Sequence, residues 1–311
     1  MTSQLSLARS PLAISDEAID QLFRPFAEEV AEADPRWRRE MAKRRRQNLK
    51  GSLRRLAGSG RRDRGVVEAE YDGSWQATAY EQYAVGAPGP KPVPWTWRDR
   101  HFLATDVGGT RFRQLLLIRA IELVRPRSVL EIGCGNGINL LQLAGRFPDL
   151  QFSGVELTSG GVRAAQAFQQ RHDRLPAALA AFAPEGVRDP AAFRRIEFRQ
   201  GDAGALPFGD GSFDLVYSVL ALEQMETLRE RALREMARVA ARATFMIEPF
   251  ADANRSLWRR LYVFRRNYFR GRIDDLPAVG LRPRFAVTDY PQETFLGTAA
   301  VLSDRMGRPS P

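Results

Sequence analysis

One stretch, Val129-Leu130-Glu131-Ile132-Gly133-Cys134-Gly135-Asn136-Gly137, limits the possible folds of this chain more than any other. A short apolar run ends in three glycines at alternate positions. Glycine accepts backbone conformations that other residues avoid, so the chain can turn sharply there and a ligand can approach the main chain. An apolar helical pattern, INLLQLAGRF, follows at once. Strand, tight turn and helix are therefore expected. The loop then stands at the carboxyl end of a strand, where open α/β sheets bind ligands. Alone, such a loop is equally a plain strand-to-helix turn, and its neighbours must decide.

The same alternation continues along the chain. QLLLIRAIELV reads as an apolar helix, QFSGVEL as a second strand, and about 159 to 193 as a long helical stretch broken by prolines. IEFRQGD, FDLVYSV and TFMIEPF are the third to fifth strands, with the helix RERALREMARVA before the last. Strands alternating with helices indicate a parallel sheet covered on both faces. RFAVTDY and LGTAAVLSD are joined by PQETF alone, too short for a crossover helix, so these two should pair antiparallel. The fold class is α/β: a Rossmann-like doubly wound sheet, mostly parallel, with an antiparallel C-terminal hairpin strand.

Three features give the loop a chemistry. Its spacing is GxGxG, with Ile138 where a dinucleotide fingerprint has its third glycine. Glu131 would repel a pyrophosphate and suits a ligand bearing an ammonium or sulfonium charge. Glu156, ending the second strand, can accept hydrogen bonds from a ribose diol. With these residues the sequence resembles the class I S-adenosylmethionine-dependent methyltransferases, in their small-molecule branch, over about residues 114 to 303. Gly201-Asp202-Ala203-Gly204-Ala205-Leu206-Pro207-Phe208, Ser212 to Ser218, Leu222-Glu223-Gln224 and Ala232 to Val239 match further pieces of that family in order.

The resemblance implies a seven-stranded sheet and S-adenosylmethionine as cofactor. It implies cofactor contacts at Glu131, Gly133, Gly135, Asn136, Gly137, Glu156, Leu157, Asp202, Ala203 and Ser218, with Asp202 meeting the adenine amino group. Two departures stand out. The usual Pro-Gly-Gly turn before the fifth strand is replaced by Ala240-Ala241-Arg242-Ala243, and the usual His of Leu-Glu-His is Gln224. The expected activity is in-line methyl transfer to a small-molecule or biosynthetic-intermediate acceptor, without a metal. An RNA methyltransferase, or a non-catalytic cofactor-binding subunit, is the alternative.

A base is optional when the donor is already activated. Glu223, just past the fourth strand, and His101, in an aromatic segment, are the candidates. Each also has an ordinary reading, as a helix-start acid and a structural histidine. His172 sits in the arginine-rich QQRHDR and reads as a surface residue. Cys134, the one cysteine, reads as a small filler and excludes a disulfide or zinc scaffold. No Asn-Pro-Pro-Tyr, Asp-Pro-Pro-Tyr or Pro-Cys motif of nucleic-acid methylation is present.

Charge is unevenly placed. The 311 residues carry a formal net charge of +10, yet residues 36 to 64 hold 13 basic and 2 acidic side chains. The remainder is nearly neutral, with 34 basic against 35 acidic side chains. The basic run offers grip for nucleic acid, an anionic membrane surface or an acidic partner, and is equally read as a solvated arm or helix on a neutral protein. No apolar run reaches the roughly 18 residues of a membrane span, and the first residues do not read as a secretory signal, so a cytoplasmic protein is expected.

The chain divides into a helical, arginine-rich extension (1–65), an aromatic and proline-rich lid or connecting segment (66–113), the methyltransferase domain (114–303) and a tail (304–311). Within the extension, Ser15 is an expected N-cap, with Ile14, Ala18, Leu22 and Phe26 recurring every four residues. WRRLYVFRRNYFRGR, residues 258 to 272, alternates aromatics with arginines. It is expected to form a helix whose residues 258, 261, 262, 265 and 269 share one side. That side either walls the acceptor site or packs on the sheet.

Overall fold

A computed structural model of the chain describes residues 4–56, 80–86 and 91–307. Expectations for residues 57–79, including Tyr71 and Trp75, and for the PGP turn at 87–90 lie outside the described residues. Twelve strands are defined among the described residues: β1 (Gln4–Ser6), β2 (Ala27–Val30), β3 (Val93–Trp97), β4 (Arg100–Ala104), β5 (Ser128–Ile132) and β6 (Gln151–Glu156). The others are β7 (Glu197–Gln200), β8 (Phe213–Val219), β9 (Ala240–Glu248), β10 (Leu281–Asp289), β11 (Gln292–Glu293) and β12 (Ala299–Arg305).

The main sheet has the order β1-β10-β12-β9-β8-β5-β6-β7. The block from β9 to β7 is parallel throughout. β12 runs antiparallel to both β9 and β10, as the short connection required. Seven strands thus form the expected mixed sheet, and β1 adds an eighth at the edge, parallel to β10. Alternate residues serve opposite faces, as the pleat dictates. Val129, Leu215, Tyr217, Phe245 and Ile247 enter one core. Leu130, Ile132, Val216 and Met246 enter the other.

The first core contains the helix Asp106–Val124, which buries most of its circumference, from Val107 and Phe112 to Ile121 and Val124, and turns Arg119 and Glu122 outward. A helix with so wide an apolar surface needs cover on more than one side. The main sheet gives one. The other is a second, antiparallel sheet, in the order β11-β3-β4-β2. Phe23, on the helix Asp16–Phe23, stacks at its centre, with ring centroids 5.3 Å from Trp95, 5.5 Å from Phe102 and 5.9 Å from Phe112. Ser15 caps that helix through a hydrogen bond from the Ala18 amide.

Several expectations are corrected here. The N-terminal extension is not simply helical: β1 and β2 are strands, each completing a sheet. The aromatic and proline-rich segment supplies two short strands, β3 and β4, with Pro94 inside β3. The helix expected from 114 begins at Asp106. Ala240-Ala241-Arg242-Ala243 is not a turn but the start of β9, directly after the helix Arg229–Val239. The stretch 159 to 193 resolves into helices Ser159–Arg171 and Ala177–Phe182 and a short 3-10 turn.

The basic segment is corrected too. Pro35–Leu56 is a 22-residue helix docked on the helix Leu257–Arg266, so it is not a free arm. Arginine–aromatic stacking joins the two: Arg45 lies over Trp258 at 5.5 Å and Arg55 over Phe264 at 5.0 Å. The Arg55 guanidinium donates to Asn267 Oδ1 at 2.7 Å. Asn267 adopts a left-handed conformation and ends the second helix, so Phe269 does not share a helical face with Trp258. That helix packs on another helix rather than on the sheet.

The N-terminal layer should therefore carry stability. Phe23→Ala removes a fully buried ring and is expected to cost about 3–5 kcal/mol. Urea denaturation of the full chain checks this, and a loss below about 1 kcal/mol would mean the second sheet is not integral to the core.

Candidate functional site

The five parallel strands end on one edge, and the expected cofactor residues gather there. β5 lies between β8 and β6, where the strand order reverses, which is the position at which doubly wound sheets open a crevice. Gly133, Gly135 and Gly137 have φ of 70°, 52° and 81°. All three fall in the left-handed region that favours glycine. The loop is also closely packed: a Cβ on Gly137 would lie 2.8 Å from the Phe198 ring, and one on Gly133 would collide with the Ala221 side chain. The Gly133 and Cys134 amides donate to the Val155 carbonyl at 2.7 and 3.1 Å, pinning the loop to β6.

Glu156 ends β6 and is 7% exposed. Its Oε2 accepts from the Gly135 amide at 3.0 Å. Its Oε1 accepts from the Thr158 amide at 2.9 Å and from the Thr158 hydroxyl at 2.8 Å. Thr158 in turn caps the helix Ser159–Arg171. One carboxylate thus ties the glycine loop to the next helix. With about four lone-pair sites on a carboxylate, Oε2 still has one to offer.

Glu131 departs from its expected part, which was to meet the ligand's charge. Its Oε1 accepts from Asn139 Nδ2 at 2.8 Å and its Oε2 from the Tyr217 hydroxyl at 3.0 Å, with 2% of the residue exposed. Burial pushes its pKa up to about 7, offset in part by those two donors. It braces the loop from beneath.

Asn136 is buried, and its carbonyl accepts from the Tyr80 hydroxyl at 2.7 Å. Tyr80 and Tyr83, on one 3-10 turn, close over the loop against Phe168 and Phe182. Leu157 is half-buried, and its carbonyl accepts from Gln200. Asp202 follows β7, and its Oδ1 accepts from the Gly204 amide at 2.8 Å; Ala203 beside it is buried. Ser218, fully buried, is in register with Ile132 of β5. Cys134 is a buried filler whose thiol burial pushes far up.

Glu223 sits on the turn after β8, on the other side of the loop. It is 8% exposed, and its Oε1 accepts from Gln224 Nε2 at 2.8 Å while Oε2 has no partner. Burial, with the nearby Glu248 adding to it, pushes the carboxyl up to about 8. Glu248 was not anticipated. It ends β9 fully buried, and its Oε1 accepts from the Ala221 and Leu222 amides, shaping the turn that carries Glu223. Nothing in TFMIEPF marks that glutamate as an inward one. His101 is not brought to the loop. It lies on β4 with its ring 4.9 Å from Trp37, beside Val30, Met41 and Leu103. No cluster able to hold a metal ion occurs among the described residues, and no described helix is long and apolar enough to cross a membrane.

Comparison with known proteins agrees with this geometry. The model of the methyltransferase domain family matches residues 130–247, from β5 to the end of β9. Residues 130–247 form a class I methyltransferase domain. Ajmaline N-methyltransferase of Rauvolfia serpentina is 32% identical over 123 residues, 40% of this chain and 35% of that one. The O-methyltransferase cnsE of Penicillium expansum is 30% identical over 144 residues, 46% of this chain and 45% of that one. The chain thus spans less than half the length of these two relatives. The crystal structure of the [4+2]-cyclase SpnF shares the fold, with a TM-score of 0.52 at 16% identity, over 77% of this chain and 95% of that one.

Glu223 sets a pH dependence for the methyltransferase domain. Its folded pKa, about 8, lies above the ordinary carboxyl value. As pH rises from about 4.5 to 8 the unfolded chain loses this proton first, so stability falls across that window and levels off above it. Glu223→Gln should therefore gain on the native chain as pH rises from 5 to 8, on the order of a few kcal/mol over the window. Urea midpoints at pH 5, 6.5 and 8 measure this, and a difference that does not change with pH would refute it.

Proposed function

We propose that the protein transfers a methyl group from S-adenosylmethionine to a small-molecule acceptor. The observation that carries the reading is Glu156: a buried carboxylate at the end of the second parallel strand, bonded to the GxGxG loop and still holding one accepting site. The residues fit the cofactor. The positive-φ glycines let the main chain turn tightly at the strand end, Glu156 offers a ribose contact, and Asp202 offers a carboxylate to an adenine. The cofactor supplies an already activated methyl on a sulfonium centre.

The chain's own part is alignment and exclusion of water. The loop, Glu156 and the Tyr80–Tyr83 turn hold one reactant, and the turns after β8 and β9 bound the space for the other. Fixing two reactants in line is worth several kcal/mol of barrier. Two relatives are named as an N- and an O-methyltransferase, which supports a small acceptor with a heteroatom nucleophile. Glu223 is the group placed to take a proton from it. It is mostly protonated at pH 7, so its help grows as pH rises through about 8. A rate that climbs between pH 7 and 9 and flattens in Glu223→Gln supports that role; identical pH profiles in the two proteins would remove it.

Calorimetric titration with S-adenosylmethionine and with NAD tests the reading as a whole. S-adenosylmethionine should bind and NAD should not. Glu156→Ala is expected to weaken that binding by about 1.5–3 kcal/mol, the range for hydrogen bonds to a charged group. An unchanged dissociation constant would place the ribose elsewhere, and binding of NAD alone would refute the proposal.

A further inference from the structure

The docked helix pair Pro35–Leu56 and Leu257–Arg266 encloses a cavity of about 400 Å³. That is within the size range of small-molecule sites. Five cations line it, Lys43, Arg44, Lys91, Arg265 and Arg266, against one carboxylate, Glu40. Glu40 serves both lysines, at 3.6 and 3.2 Å. Arg44 reaches Glu293 behind the wall at 3.5 Å. Arg266 donates to a neutral partner, the Tyr268 hydroxyl. Arg265 stacks on Tyr262, and its buried Nε has no acceptor. Asn48, also in the lining and 2% exposed, has an Nδ2 without an acceptor. Five cations set against one carboxylate give the cavity a charge that suits an anion.

The cavity wall is joined to the turn that carries Glu223. Tyr262, in its wall, lies 5.9 Å from Tyr268 between ring centroids. The next residue, Phe269, donates its amide to the Glu223 carbonyl at 3.0 Å. Glu223 in turn follows Ala221, the residue that packs on Gly133 of the loop. Arg266, in the cavity lining, also acts electrostatically on Glu223, so the basic cavity and the Glu223 turn are neighbours.

We propose that this cavity is the acceptor subsite. It takes the carboxylate or phosphate of a small acceptor whose apolar body rests on Tyr262 and Phe295. The inference rests on the methyl-transfer reading and adds the acceptor's chemical class to it. It also explains what the basic helix does: the helix walls a pocket, and its charge is directed inward at Arg44 as well as outward. A cavity of this size admits a phosphoryl or carboxyl group on one ring and does not admit a nucleic acid duplex.

The test titrates the full chain calorimetrically with phenyl phosphate, with benzoate and with neutral phenol, each with and without S-adenosylhomocysteine. At least one anion should bind ten or more times more tightly than phenol, and the better of the two identifies the anionic group. The double variant Arg44→Gln, Arg265→Gln should lose tenfold or more of that affinity while keeping its affinity for S-adenosylhomocysteine. Lys43→Gln with Lys91→Gln changes largely exposed side chains and spares the packing; a loss of about threefold or more is expected. Equal binding of phenol and the anions, or anion affinity unchanged in both variants, overturns the proposal. So does an RNA hairpin that displaces the anion and binds more tightly than it, since the surface would then serve a nucleic acid. Anion binding that persists in a native chain unable to bind S-adenosylhomocysteine overturns the acceptor assignment through the methyl-transfer reading, and leaves the anion site itself in place.

Discussion

The helix Asp106–Val124 is buried round most of its circumference, with Arg119 and Glu122 left outward, and much of the remaining architecture follows from giving it two covers. The main sheet can bury only one of its faces. The second sheet and the helix Asp16–Phe23 bury the other, through the ring cluster of Phe23, Trp95, Phe102 and Phe112. Because β2 must pair with β4 to finish that cover, the chain leaves Val30 opposite His101 of β4. The helix Pro35–Leu56 starts there. Its position beside Leu257–Arg266 is thus a consequence of core packing, and the arginine–aromatic stacks fix a contact that the core has already brought close.

Three buried carboxyls, Glu131, Glu223 and Glu248, sit at the ends of β5, after β8 and at the end of β9. Burial raises all three pKa values. Charged, each would carry a large desolvation cost, and buried polar groups are tolerated when they are hydrogen-bonded. Glu131 meets that requirement with both oxygens. Glu223 and Glu248 meet it with one oxygen each. Two half-satisfied carboxyls on neighbouring turns are a departure from the rule that buried polar groups find partners.

The parallel half of the sheet and the meeting of the glycine loop with Glu156 at its edge were legible because their signals are local. Alternating glycines, an acid ending the next strand and apolar runs of strand length all lie within a few residues of one another. The N-terminal half was not legible in the same way. β1 pairs with β10 and β2 with β4, so neither strand has its reason nearby in the chain. The arginine run read as a solvated arm because charge composition carries no record of partners: the aromatics that stack on Arg45 and Arg55 are some two hundred residues away. The partners of Glu131 were not legible, because Tyr217 and Asn139 become its neighbours only in the folded sheet.

The pairing of β1 with β10 has a consequence for how the protein forms. Gln4 is in register with Ala286, so a contact at the sheet edge closes a loop of nearly the whole chain. Loop-closure entropy grows only slowly with length, so the contact is tolerated at equilibrium. Kinetically it belongs to the slow, non-local class. During synthesis Gln4–Ser6 must wait, unpaired, until β10 and β12 have left the ribosome. The methyltransferase domain can assemble its inner strands before then, and its last edge closes only when the earliest and latest strands meet.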